Sequence, residues 1–98
     1  ILESGGEVSH LGNLGLDYSY LGEPRKAIEF YEQALKISRD IRDRRIEAMS
    51  LLAMSISYHS LCQKDKAFSL AQSALEIFEQ IESPHAETVR QKLAEWSA

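Results

Sequence analysis

Residues 40 apart in this chain repeat one another. Tyr18 and Tyr58 have that separation (58 − 18), and the same offset joins Leu11 to Leu51, Leu21 to Leu61, Lys26 to Lys66 and Ala27 to Ala67. It runs on through Ala34 and Ala74, Leu35 and Leu75, Ile37 and Ile77, and Ile41 and Ile81. A period of this size belongs to arrays of stacked units, in which no unit can bury its apolar face alone and each covers its neighbour. A chain of 98 residues holds two such units and part of a third, and it is too short for a second independent domain. Carried backwards, the register sets Ile1 where Ile41 stands. Residues 1–6 are therefore expected to be the tail of a preceding repeat.

Each unit reads as two helices. Leu11, Leu14, Tyr18 and Leu21 recur at spacings of three and four, which gives a single apolar stripe from about Glu7 to Leu21. Gly22 ends it, and Pro24 suits the first turn of the next helix, where its missing N–H costs nothing. The second helix places Ala27, Tyr31, Ala34, Ser38 and Ile41 on one side, with Ile28 and Leu35 flanking. The next unit repeats the scheme with Leu51, Met54, Tyr58 and Leu61, then Ala67, Ala71, Ala74, Phe78 and Ile81. Asp43 is placed to cap the first helix of that unit, and Ser83 with Pro84 to start a fifth helix. No run alternates in the manner of a strand, and the short connections suit antiparallel helices.

The fifth helix, about Pro84 to Ser97, changes its apolar face. The register would put Gln91, Ala94, Glu95 and Ala98 where Leu51, Met54, Ser55 and Tyr58 stand one repeat earlier. The residues that stay apolar, Ala86, Val89, Leu93 and Trp96, form a stripe able to pack back on the preceding unit. A terminal cap needs that pattern, since it has a neighbour on one side and water on the other. The expected division is residues 1–6 as a preceding tail, 7–43 as repeat one, 44–83 as repeat two and 84–98 as a capping helix.

Charge and composition remove several functional classes. The balance of 11 Lys+Arg against 15 Asp+Glu leaves a net charge of -4, whereas nucleic-acid binders carry a basic excess to neutralise phosphates. No stretch approaches the roughly 20 continuous apolar residues of a membrane span. Cys62 is the one cysteine, so a disulfide framework and a Cys-rich zinc site are excluded, and a reducing, cytoplasmic setting is expected. His10, His59 and His85 fall on different helices without ligand spacing, so no metal and no cofactor are expected. His59 and Cys62 are three apart, but the sequence reads Cys62 as a packed, inert thiol at a small-residue position. Nothing assembles a nucleophile, a base and an orienting group, and the chain is not read as an enzyme.

The run Leu11-Gly12-Asn13-Leu14-Gly15, with Tyr18, Leu21-Gly22, Ala27, Tyr31 and Ala34-Leu35, resembles the tetratricopeptide repeat. The second unit keeps Leu51, Tyr58, Ala67 and Ala74, with Ser55 and Cys62 where glycines are usual and Ala71 at the aromatic position. The 40-residue period and the Arg42-Asp43-Arg44-Arg45 junction are similar to the long-helix subclass of that family. The segment from Ala74 to Arg90 is similar to the last repeat of bacterial regulatory NTPases with a C-terminal sensor array. The resemblance implies an all-α, right-handed solenoid of two helix-turn-helix repeats and a C-terminal capping helix, from the C-terminal end of a longer array.

It also implies a function, protein binding, as the scaffold or sensor part of a larger signalling protein. In this family the face of each first helix turned away from its second helix lines a concave groove for peptides or partner helices. By register that face carries Gly12, Asn13, Leu16, Ser19 and Tyr20, then Leu52, Ala53, Ile56 and His59, then Lys92 and Trp96. The expected partner-binding residues are Asn13, Leu16, Tyr20, Leu52, Ile56, His59, Lys92 and Trp96. The family's clamp for carboxylate tails needs a Lys and an Asn four apart on a first helix, and Gly12 and Leu16 stand there instead. Two other readings are a purely structural cap of a longer array and a regulatory segment packed on a catalytic domain of the same chain. Arg39, Arg42, Arg44 and Arg45, interleaved with Asp40 and Asp43, read as a solvated junction with local ion pairs. Tyr18, Tyr31 and Tyr58 read as core rather than as a stacking platform. Self-association through the N-terminal face is expected, because that face would lack a covering repeat.

Overall fold

The computed structural model describes the backbone of residues 2–97 and the side chains of residues 7–97. Ile1 and Ala98, which the register had assigned, lie outside the described residues. The chain forms α1 (Leu2–Tyr20), α2 (Pro24–Asp40), α3 (Arg44–Ser60), α4 (Lys64–Gln80) and α5 (His85–Ser97), and no strand is present among the described residues. Each helix packs on the next one in sequence, α1 on α2 through to α4 on α5, which makes a helical solenoid. The slab measures 42 × 32 × 17 Å.

The turns set the dimensions of this stack. In each, a backbone N–H reaches back five residues to close the helix: Glu23 donates to Tyr18 O, Asp43 to Ser38 O, Gln63 to Tyr58 O and Ser83 to Phe78 O, at 2.8 to 3.0 Å. This closure requires the residue before the donor to be left-handed. Gly22, Arg42, Cys62 and Glu82 have φ of 77°, 59°, 63° and 55°, and they follow one another at intervals of 20 residues (42 − 22). Helices α2, α3 and α4 are accordingly all 17 residues long. Asp43 caps α3 by accepting from the Ile46 N–H at 3.0 Å, and the Ser83 hydroxyl accepts from the His85 N–H at 3.1 Å. Pro24 opens α2 as expected.

Alanines bring the helices close together. Ala27, Ala48, Ala67, Ala71 and Ala74 are fully buried, and Phe78 and Val89 fill the space beside them. Ala86 and Val89 join that core from α5, with Leu93 and Trp96 packed against it, so the face change read in the fifth helix is the one that docks it. A smaller cluster of Val8, Leu11 and Ala34 lies at the other end, bordered by Phe30, Ile37 and Ile46.

Four details differ from the sequence reading. Helix α1 begins at Leu2 rather than near Glu7, so residues 2–6, expected to be the tail of an earlier repeat, are continuous with it. Cys62 is exposed rather than packed, because its position is the left-handed turn position of Gly22. Of the three tyrosines read as core, Tyr31 is buried, while Tyr18 and Tyr58 pack against the main core only half-buried. Tyr18 is half-buried and stacks on Phe30 with ring centroids 5.4 Å apart, and Tyr58 lies under the Lys66 ammonium at 4.6 Å. Ile41 and Ile81 are partly exposed at the ends of α2 and α4.

Repeat two departs from repeat one at two positions that compensate each other. A Cβ on Gly15 would sit 2.6 Å from the Tyr31 ring, so the large aromatic requires the missing side chain. One repeat later the pair is Ser55 and Ala71, both fully buried, and the Ser55 hydroxyl donates to Leu52 O at 2.6 Å.

Two predictions rest on this geometry. Gly15→Ser alone should destabilise by about 1–3 kcal/mol, the usual cost of overpacking, and Gly15→Ser with Tyr31→Ala should cost less than the sum of the single changes by about 1 kcal/mol or more. Urea denaturation of the four proteins of the cycle measures this, and strict additivity would refute the pairing. Cys62→Gly should raise stability by about 1 kcal/mol, since it relieves a left-handed β-carbon; a lowered denaturation midpoint would contradict it.

Candidate functional site

The first helices of the two repeats, α1 and α3, leave a cleft of about 350 Å³ between them, floored by α2. Helical spacing of three and four puts Val8, Ser9, Gly12, Asn13 and Leu16 of α1 on one wall. Arg45, Ile46, Met49, Ser50 and Ala53 of α3 form the other by the same rule, and Tyr31 and Ala34 of α2 lie beneath. The walls are largely apolar. Asn13 brings an amide with both donor and acceptor, and Arg45 brings the single charge among the described lining residues.

Arg45 stands apart from the arginines around it. Arg39 Nε donates to Glu47 Oε2 at 3.1 Å, and Arg44 Nη1 donates to Glu47 Oε1 at 2.8 Å. Arg44 Nη2 also reaches Gln80 Oε1 at 2.8 Å, tying α3 to α4. Glu47 is only 7% exposed, so the junction is organised around a buried carboxylate whose two charge partners satisfy it. Arg45 takes no part in this: its Nη1 lies 3.3 Å from the Met49 sulfur, a weak acceptor, and among the described residues it makes no ion pair.

The expected partner-binding residues fall into distinct places. Asn13 and Leu16 line the cleft, and Leu16 is 46% exposed. Ile56 is 37% exposed on α3. His59 stacks on Trp96 of α5, with centroids 4.5 Å apart and planes 10° from parallel. Leu52 is half-buried against the main core, and Lys92 is half-buried on α5. Tyr20 is 82% exposed at the last residue of α1 and is not among the residues lining the cleft. Leu16, Ile56 and Trp96 occupy one register position in successive repeats (56 − 16 and 96 − 56 are both 40) and mark a row across α1, α3 and α5.

Sequence reasoning missed Ser9, Met49 and Arg45 as lining residues. The signal was available in the register, because Ser9 and Asn13 on α1 become Met49 and Ala53 on α3 (49 − 9 = 40). Arg45 was absorbed into the junction, whereas the junction uses Arg39 and Arg44. Among the described residues no three His, Cys, Asp or Glu side chains cluster as a metal site would require. His85 lies beside Phe78, centroids 5.5 Å apart.

Burial pushes the Tyr31 phenol above its ordinary pKa, and Tyr20 adds to the shift in the same direction. As pH passes about 10 the unfolded chain therefore loses this proton before the folded one does, and stability falls. The contribution is fully present below that pH. Tyr31→Phe should lose less stability than the parent between about pH 8 and pH 10.5, read from urea midpoints; equal losses would show that the buried phenol is not a source of the alkaline decline.

The tetratricopeptide repeat family model matches residues 6–80, from α1 to the end of α4. Among curated proteins none matches the chain. No helix among the described residues is long and apolar enough to cross a membrane. Two helix pairs in a 40-residue register, alanine-lined crossings and a match over this much of the chain lead to one conclusion: the chain belongs to the tetratricopeptide repeat family.

Proposed function

We propose that this chain is a protein-interaction module that receives a peptide or partner helix along the face made by α1, α3 and α5. Tetratricopeptide repeats are in general protein-interaction modules, and the observation that favours this face is the register-matched row of Leu16, Ile56 and Trp96. Leu16 and Ile56 are exposed, Trp96 at the same repeat position is only partly buried against the core, and apolar surface left open in this way supplies affinity when a partner covers it. In this reading 7–43 and 44–83 are the two repeats, and 84–98 closes the stack. The module serves as the scaffold or sensor part of a larger cytoplasmic protein, and the long-helix and bacterial likenesses of its sequence belong to this proposal.

The test is binding by variants of the row. A partner captured by the parent protein should bind Ile56→Asp more weakly by at least about 1–2 kcal/mol, as hot-spot changes do. Glu32→Ala, on the exposed side of α2, should leave affinity unchanged. Isothermal titration with variants whose circular dichroism matches the parent measures both. Undiminished binding by a folded Ile56→Asp, Trp96→Ala double variant would refute the assignment.

A further inference from the structure

The gap between α1 and α3 exists because two positions there are small. Gly12 on α1 and Ala53 on α3 correspond in register to Leu52 on α3 and Leu93 on α5 (52 − 12 and 93 − 53 are both 40), and those leucines pack against the main core. The fold gives no reason of its own for Gly12. A Cβ there would meet no atom within 4 Å, in contrast to Gly15 against Tyr31, and a mid-helix glycine costs about 0.5–1 kcal/mol relative to alanine. The open space it leaves is the cleft itself.

The geometry points to a peptide segment as the occupant, with a bulky aliphatic or aromatic side chain set beside an aspartate or glutamate. This rests on the reading of the concave face given above and specifies its partner. The apolar side chain enters over Gly12 against Met49 and Ala53. The carboxylate meets Arg45, the one charge lining the cleft among the described residues and an arginine the Glu47 junction does not use. A guanidinium offers a carboxylate two parallel N–H donors, which it cannot offer a thioether. The Asn13 amide, with a donor and an acceptor side by side, matches a peptide main chain. A neutral apolar ligand would leave Arg45 partly desolvated without compensation. The protein's net charge of -4 disfavours acidic partners elsewhere on its surface, so the attraction is local to this arginine.

Selection of peptides from a random displayed library on the immobilised protein, followed by fluorescence polarisation with the selected peptides, tests this. The expected peptides carry an acidic residue next to Leu, Met or Phe. Gly12→Leu gives α1 the residue that α3 has at the same position; it should fold at least as stably as the parent by circular dichroism and lose tenfold or more in affinity. Arg45→Gln should lose a similar factor, remove most of the salt dependence and cease to discriminate the acidic peptide from its amide analogue, whereas Arg42→Gln should change none of these. Selected peptides without an acidic residue, full affinity in Gly12→Leu, or failure to select any peptide would overturn the inference. Peptides sensitive to Ile56→Asp but indifferent to Gly12→Leu and Arg45→Gln would leave the concave face standing and remove only the cleft. The opposite pattern would keep the cleft and remove the row of Leu16, Ile56 and Trp96.

Discussion

The C-terminal ends of α1 to α4 are closed by the same backbone bond, an N–H reaching back five residues across a left-handed residue. Because that bond recurs at 20-residue intervals, α2, α3 and α4 have one length and reverse direction at matching heights. Parallel placement of α1 and α3 over α2 follows from two such reversals, and so does the cleft between them. The closure is strong enough to hold Arg42, Cys62 and Glu82 in a conformation that costs a non-glycine residue roughly 1–2 kcal/mol. Other sources must offset that cost, chiefly the buried alanine crossings and the Phe78 and Val89 core. Stability in such a stack is a sum of nearest-neighbour interfaces.

The two repeats solve one packing problem in two ways, and the difference reaches the functional face. Repeat one combines Gly15 with Tyr31, and the ring that fits against the glycine continues upward as the floor of the cleft. Repeat two combines Ser55 with Ala71, which are both fully buried. Above that second pair, Leu52, Val89 and Leu93 are drawn into the main core. An exchange of volume between a glycine and an aromatic is thus tied to an open site over repeat one and a packed interface over repeat two. Close packing makes such exchanges obligatory rather than optional.

The 40-residue register carried most of the fold into view: five helices, their turns, the alanine crossings and the docking face of α5 all follow from repeated apolar positions. What escaped was whatever depends on a neighbour in three dimensions. Cys62 looked like a packed small residue because its chemistry is that of a small residue, yet its backbone position is a turn, and φ is not written in composition. The start of α1 was placed near Glu7 because the register gave residues 1–6 to the tail of a preceding repeat, whereas the backbone is helical from Leu2. Arg45 could not be separated from Arg39 and Arg44 by sequence, since the separation is made by where Glu47 sits. Asn13, Leu16 and Ala53 were legible because the register puts them on the face turned away from the second helices, and Met49, reachable by the same register from Ser9, was passed over because neither residue was assigned to that face.

Charge at the two repeat junctions is arranged in opposite senses. Arg39 at the end of α2 meets Glu47 of α3, whereas its register equivalent at the end of α4, Glu79, meets Arg90 of α5 at 2.8 Å. Arg90 is also bonded to Glu87, and these two carboxylates hold its guanidinium still more firmly in the charged form. Exposed pairs of this kind add little to stability, so their effect lies in which helix may follow which. A helix carrying Glu47 set against Glu79, or one carrying Arg90 set against Arg39, would bring like charges together. The apolar stripe of α5 lies on a different face from that of α3, and the ionic reversal adds a second difference between the α2–α3 and α4–α5 junctions. The same arrangement gives Glu47 two arginines and leaves Arg45 to face the cleft, so the electrostatics that order the stack also decide which charge the surface presents.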